Sequence, residues 1–251
     1  MQNAVANYVV ITGASSGIGA ASAYKLASRG YNLILIARRA ARLNDLKAKI
    51  HASYPNVTIV VRPQDLAIID DLPKMYAQLN QNYAIKIWIN NAGFGKIKSL
   101  SHYQLTEVTQ MIRTNSEAVA LLTTLFAKDH EQDNVQLVNV SSRAGYHVWP
   151  NTIMYSATKF FVSALTEGLA DELRTKGAKM QAKVLAPNAT ATEFQRVAKD
   201  LDHDVNYADV FPKYNTSATL ADFLIQLLNS DATVGLVNDH YELELSDSRL
   251  P

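Results

Sequence analysis

Tyr155 and Lys159 stand four residues apart, so on a helix they share one face at a spacing of one turn. A phenol so placed feels the positive charge of an ammonium, which favours phenolate and pulls its pKa down from about 10. Such a group can donate and accept a proton near neutral pH. Ser142, thirteen residues upstream, can orient a substrate oxygen if the chain folds back. Of the 12 tyrosines, only Tyr155 has a lysine at the fourth following position. A hydroxyl, a phenol and an amine so arranged suit redox chemistry at an alcohol or ketone carbon.

The elements that must position these groups follow an alternating pattern. Short apolar runs at Tyr8–Thr12, Asn32–Ala37, Val57–Arg62, Lys86–Asn90, Val135–Val140 and Lys179–Ala186 read as strands. Most are apolar almost throughout, as strands buried on both faces of a parallel sheet are. Between them, amphipathic stretches predict helices near Ile18–Arg29, Ala41–Ser53, Ile69–Gln81, Thr106–Ala127 and Met154–Thr175, with Gly30 and Gly177 at C-terminal ends. The alternation predicts βαβ units and an α/β fold: a doubly wound, Rossmann-type domain over residues 1–251, with a central parallel β-sheet flanked by helices. Thr192–Asn215 has no clean period and reads as a loop with short helices, within a substrate-loop region at about 187–218. Thr219–Leu228 predicts one more helix and Val234–Leu245 a last strand.

Composition narrows the function classes. The chain has 251 residues, 48% hydrophobic and 19% charged, with no linker, low-complexity stretch or repeat, so one globular domain is expected. With 24 basic and 23 acidic residues the net charge is +1, which argues against a nucleic-acid or anionic membrane surface. The absence of cysteine removes disulfides, thiolate nucleophiles and Cys-ligated metals. The six histidines show no metal-ligand spacing, and Asp202-His203-Asp204 reads as a solvated cluster. The N-terminus lacks the features of a signal peptide, and the longest apolar run, Ala118–Ala127, is about half a membrane span. A cytoplasmic enzyme fits these features.

Directly after the first strand comes Thr12-Gly13-Ala14-Ser15-Ser16-Gly17-Ile18-Gly19, opening a helix. Gly13 permits a tight turn, Gly17 lets a pyrophosphate approach the backbone, and Gly19 allows the helix to pack closely. The second strand ends at Ala37-Arg38-Arg39. A carboxylate there would hold a ribose 2′-hydroxyl, whereas arginine suits a 2′-phosphate. Between Asn32 and Asn44 there is no Asp or Glu, and Arg38, Arg39 and Arg42 all lie in that interval, so NADP(H) is favoured over NAD. Arg42 reads as surface.

Together these motifs resemble the short-chain dehydrogenase/reductase family from about Tyr8 to Thr192. T-G-A-S-S-G-I-G is similar to its cofactor motif and Asn90-Asn91-Ala92-Gly93 to its fourth-strand motif. Asp65, followed by Leu66, matches the position that contacts adenine. Asn115, Ser142, Tyr155 and Lys159 match the four catalytic positions. The resemblance implies that Tyr155 protonates a carbonyl oxygen while Ser142 binds it. Lys159 would hold the nicotinamide ribose, and Asn115 would support a water relay ending at Lys159. No metal is implied, and Ser141 reads as structural. Pro187-Asn188-Ala189-Thr190-Ala191-Thr192 departs from the family's P-G-x-x-x-T, with Asn188 expected to tolerate a left-handed turn. Pro187, Thr190 and Thr192 are still expected at the nicotinamide.

Phe94, Ala144, Tyr146, His147, Val148, Trp149, Phe194, Tyr207 and Phe211 are candidates for the substrate lining. They suit an apolar or aromatic carbonyl compound. The leading reading is an NADPH-dependent reductase of small-molecule ketones or aldehydes, assembled as a homodimer or homotetramer. Its rivals are an NAD-linked secondary-alcohol or sugar-alcohol dehydrogenase, a reductase of carrier-bound β-ketoacyl groups, and an NADP-binding sensor without turnover.

Overall fold

Val9, Val10 and Ile11 are all fully buried in strand β1 (Tyr8–Thr12), which is why its sequence is apolar without alternation. The computed structural model describes residues 7–250 and sets β1 inside an eight-stranded sheet. The expectation about a leader peptide concerns mainly Met1–Ala6, which lie outside the described residues. On one side of β1 are β2 (Asn32–Ala37) and then β3 (Ile59–Pro63). On the other are β4 (Ile85–Asn90), β5 (Gln136–Val140), β6 (Gln181–Ala186), β9 (Val234–Val237) and the edge strand β10 (Leu243–Ser246). Every pairing is parallel except β9 with β10. A separate parallel pair, β7 (Thr190–Ala191) and β8 (Asn215–Thr216), ties off the base of the 192–214 loop.

Helices cover both faces. Val9 and Ile11 point to the side of α1 (Gly17–Ala27), α2 (Ala40–Ser53) and α9 (Ser217–Leu228). Val10 points to the side of α3 (Leu72–Asn82), α5 (Ala118–His130) and α6 (Ile153–Thr175). Strand order reverses between β1 and β4, and the carboxyl ends of these strands open the crevice that such sheets use for ligands. Over that crevice lie α7 (Phe194–Ala198) and α8 (Tyr207–Val210).

Several boundaries differ from expectation for local reasons. The helix predicted from Ile69 begins with a 3₁₀ turn at Ile69–Asp71, and the α-helix starts at Leu72. Pro73 fits a first helical turn but not a helix interior. Thr106–Ala127 is part of a longer path, α4 (Leu105–Ile112), a π-helical turn at Arg113–Glu117, and α5. The third strand starts at Ile59, because the Thr58 amide donates to Asn32 Oδ1 at 2.7 Å. The single last strand is in fact two, joined by a turn in which Asn238 Oδ1 accepts from the His240 and Glu242 amides at 2.8 and 3.0 Å. Among the described residues, no helix is long and apolar enough to cross a membrane.

Candidate active site

The turn from β1 into α1 is shaped by glycine. Gly13 and Gly17 have φ of +66° and +55°, in the left-handed region that residues with a Cβ avoid. A Cβ on Gly13 would come within 2.8 Å of Ala92 Cα, and one on Gly17 within 3.0 Å of Thr192 Cγ2. Gly19 sits deeper: a Cβ there would meet the Gly13 carbonyl oxygen at 2.5 Å. It packs helix against turn, behind the residues that line the cavity. The same turn is locked to the end of β4. Thr12 Oγ1 accepts from the amides of Asn91 and Ala92 at 2.9 and 3.0 Å, and Asn91 Nδ2 donates to the Thr12 carbonyl at 2.9 Å.

The proton-transfer candidates Ser142, Tyr155 and Lys159 come from two elements. Ser142 ends the β5 segment, and its Oγ accepts from the Ala144 amide at 3.1 Å. Tyr155 and Lys159 lie one turn apart on α6, with Lys159 Nζ 5.9 Å from the centre of the Tyr155 ring. Lys159 is buried and donates to the Val140 carbonyl at 2.8 Å. Its burial pulls its pKa down to about 8. The expected depression of the Tyr155 pKa does not occur. Burial pushes the phenol up to about 12, and the Ser142 hydroxyl opposes this only in part. Ser141 is structural, bonded to the Lys159 carbonyl at 2.9 Å and to Ser163 Oγ at 2.8 Å.

Asn115 lies in the π-helical turn, fully buried just behind the cavity-lining Gly93 and Phe94. Its Oδ1 accepts from the Phe94 amide at 3.1 Å. Its Nδ2 donates to the Phe94 carbonyl at 2.7 Å and to Thr158 Oγ1 at 3.1 Å. The side chain thus clamps the segment that follows β4 to α6.

One continuous cavity of about 820 Å³ joins these parts. Gly13, Ser15, Ser16, Gly17, Ile18, Arg38, Arg39, Asp65 and Leu66 line one end, around the glycine turn. Asn91, Ala92, Gly93, Ser142, Tyr155, Lys159, Pro187, Thr190 and Thr192 line the middle. Phe94, Ala144, Trp149, Phe194, Tyr207 and Phe211 line the far end, where the Phe194 and Tyr155 ring centres are 5.1 Å apart. Three proposed lining residues are not there. Tyr146 turns away to donate to Glu167 Oε1 at 2.6 Å, His147 is exposed beside Trp149, and Val148 faces solvent.

The two arginines after β2 differ. Arg38 is exposed, whereas Arg39 donates to Ser15 Oγ at 3.0 and 3.2 Å, Ser16 Oγ at 2.8 Å and Glu193 Oε2 at 2.9 Å. Arg42, read from sequence as mere surface, also pairs with Glu193. Asn188 does not adopt a left-handed angle. Its Oδ1 instead accepts from the Ala189 amide at 2.8 Å, and its Nδ2 donates to the Asn238 carbonyl at 3.1 Å. Sequence reasoning also missed Glu193, Gln195, Arg143, Asp239 and Tyr241, all on the cavity wall. Arg143 pairs with Asp239 across the mouth, and the buried Oε1 of Gln195 has no partner among the described residues.

A family model described as short chain dehydrogenase matches residues 7–202. The chain is 32% identical over 200 residues to the human dehydrogenase/reductase SDR family member 11, covering 77% of this chain and 76% of the relative. A short-chain dehydrogenase from Sphingobium yanoikuyae, solved with NADPH, superposes with a TM-score of 0.83 at 30% identity, over 93% of this chain and 89% of that one. A short chain dehydrogenase/reductase from Burkholderia phymatum, solved with NAD, superposes with a TM-score of 0.78 at 23% identity, over 91% and 87%. With its glycine turn, its Ser142–Tyr155–Lys159 arrangement and a family match over most of its length, the chain belongs to the short chain dehydrogenase family of oxidoreductases.

Proposed function

We propose that this protein reduces a ketone or aldehyde to an alcohol at the expense of NADPH. A nicotinamide dinucleotide fits the residues present. Gly13 and Gly17 border the cavity in left-handed conformations that bring bare backbone to its wall, and a helix N-terminus lies there to meet a pyrophosphate. Solved relatives hold NADPH in one case and NAD in another, so the choice rests on this chain's own side chains. Arg39 carries it: its guanidinium lies against Ser15 and Ser16 in the glycine turn, and no carboxylate ends β2.

When bound, NADPH supplies the hydride. Tyr155 Oη gives its proton to the carbonyl oxygen, and Ser142 Oγ donates a hydrogen bond to that same oxygen. Lys159 Nζ would hold the ribose hydroxyls and, by its charge, ease loss of the phenolic proton. Asn115 keeps the Phe94 backbone against α6, and so fixes the wall opposite Tyr155. Phe94, Trp149, Phe194, Tyr207 and Phe211 offer an apolar, aromatic seat for the rest of the substrate. Exposed Leu105, Ile112 and Phe161 support a homodimer or homotetramer, which light scattering tests.

The decisive experiment is initial-rate kinetics across ketones, aldehydes and secondary alcohols with NADPH and NADH. NADPH is expected to give the higher kcat/KM, and Arg39→Asp to move the preference toward NADH. A wild-type preference for NADH would favour the NAD-linked alcohol dehydrogenase instead. Dinucleotide binding without turnover on the whole panel, unaltered in Tyr155→Phe, would sink the enzymatic reading.

A further inference from the structure

Glu193 lies at the start of α7, yet two guanidiniums from the other end of the Rossmann crevice hold its carboxylate. Oε2 accepts from Arg39 Nη1 at 2.9 Å, Oε1 pairs with Arg42, and Arg196 Nη2 lies 3.8 Å from Oε1. Burial opposes its ionisation, but the Arg42 and Arg39 bonds outweigh this and hold the carboxyl at about 2, so it stays anionic at any working pH. The next residue, Phe194, packs its ring on Tyr155 with centres 5.1 Å apart. The two rings also crowd Gly95, where an added Cβ would lie 2.7 Å from Phe194 Cζ and 2.9 Å from Tyr155 Cδ2. Two adjacent residues thus connect the arginines to the ring of Tyr155.

Most of the N–H donors of Arg39 are already committed. Nη1 serves Glu193, while Nη2 and Nε serve Ser15 and Ser16. A carboxylate and a phosphate monoester ask a guanidinium for the same kind of N–H donors, and the two anions repel when adjacent. A ribose 2′-hydroxyl carries no charge and does neither. We propose that Glu193 is an internal surrogate for the 2′-phosphate of NADPH, holding Arg39 and Arg42 until a phosphorylated dinucleotide displaces it. Release of the Glu193–Phe194 segment from Tyr155 is then keyed to NADPH and not to NADH. This rests on the NADPH reading above and adds a residue that sets cofactor discrimination from the substrate loop.

Glu193→Gln keeps the side chain's shape and removes its charge. Dissociation constants of the wild type and this variant are measured for NADPH and NADH by the fluorescence of the reduced nicotinamide. NADPH is expected to bind roughly three- to tenfold more tightly to the variant, with NADH changed by less than about twofold. The gain is expected to vanish when Arg39→Gln is also present. An unchanged or weaker NADPH affinity, an equal gain for both dinucleotides, or a gain that persists with Arg39→Gln overturns the proposal. A wild type that prefers NADH overturns the NADPH reading and this proposal with it. If the wild type prefers NADPH and Glu193→Gln leaves that preference unaltered, only the role of Glu193 falls.

Discussion

Asn115 Oδ1 and Lys159 Nζ approach Gly93 together: a methyl group placed on Gly93 would lie 3.2 Å from the first and 3.4 Å from the second. Both neighbours are held, Asn115 by Phe94 and Thr158 and Lys159 by the Val140 carbonyl. Neither can yield without breaking a buried hydrogen bond. Gly93→Ala is therefore expected to destabilise the fold by about 1–3 kcal/mol, read from urea denaturation. It should also lower kcat more than it raises KM for the carbonyl compound.

Lys159 carries a cost in the folded state. Its burial lowers its pKa to about 8, so below pH 8 the folded protein holds a charge it would rather lose. Between pH 8 and the unfolded value near 10.4 the unfolded chain binds more protons, so this group makes stability rise with pH. The penalty at pH 7 is on the order of 3 kcal/mol, offset by about 1 kcal/mol for the bond to Val140. Lys159→Met is expected to abolish turnover yet raise Tm at pH 7 by roughly 3–6 °C. Calorimetry at pH 7 and pH 10 checks this, because the gain should shrink at the higher pH.

With its pKa raised by burial to about 12, Tyr155 is a phenol across the neutral range. A proton donor is thus ready for reduction, while its phenolate form is scarce for oxidation. Alcohol oxidation is expected to speed up as pH rises from 7 to 10, and carbonyl reduction to lack that rise; paired pH–rate profiles test this. Tyr155→Phe should lower kcat by about 10²- to 10⁴-fold. Its affinity for NADPH should stay within about threefold of the wild type, since the phenol's main contribution is to proton transfer.

Glu167 anchors the last residues to α6. It is buried and accepts from Tyr146 Oη at 2.6 Å, the Arg249 amide at 2.7 Å, Ser248 Oγ at 2.9 Å and the Leu250 amide at 3.1 Å. Burial alone would raise its pKa, but these donors hold it below the ordinary carboxylate value. A depressed carboxyl stabilises the fold above its unfolded pKa, and the stabilisation is lost as pH falls through the folded value. Glu167→Gln is expected to cost about 1–3 kcal/mol at pH 7, with a smaller gap to wild type at pH 3, below the unfolded carboxyl value. Thermal melts at the two pH values read the difference.

The sheet and the glycine turn were legible because their signals are local. Val9-Val10-Ile11 announces burial on both faces, and T-G-A-S-S-G-I-G requires left-handed turns within seven residues. What escaped depends on contacts between distant segments. Glu193 meets Arg39 across 154 positions, and Arg143 meets Asp239 across 96. The shift of Tyr155 went the opposite way from the sequence argument, because spacing reveals a neighbouring charge but not how deeply both groups are buried. Asn188 fills a glycine position by using its side-chain amide, a solution its backbone tolerance did not foretell.

The π-helical turn at Arg113–Glu117 has a consequence for how the chain tolerates changes in length. A π turn holds about one residue more than an α turn, so the helix carries what amounts to a single-residue insertion. Deleting any one residue there would let a regular helix run from α4 into α5, with better local hydrogen bonds. It would also rotate the two flanks against each other by about 100°. Either Met111 or Leu122 would then leave the core, and the amide of Asn115 would no longer meet Phe94. The placement of this amide is recorded in residue count as much as in residue type. A chain one residue shorter here would lose the arrangement even with its asparagine retained.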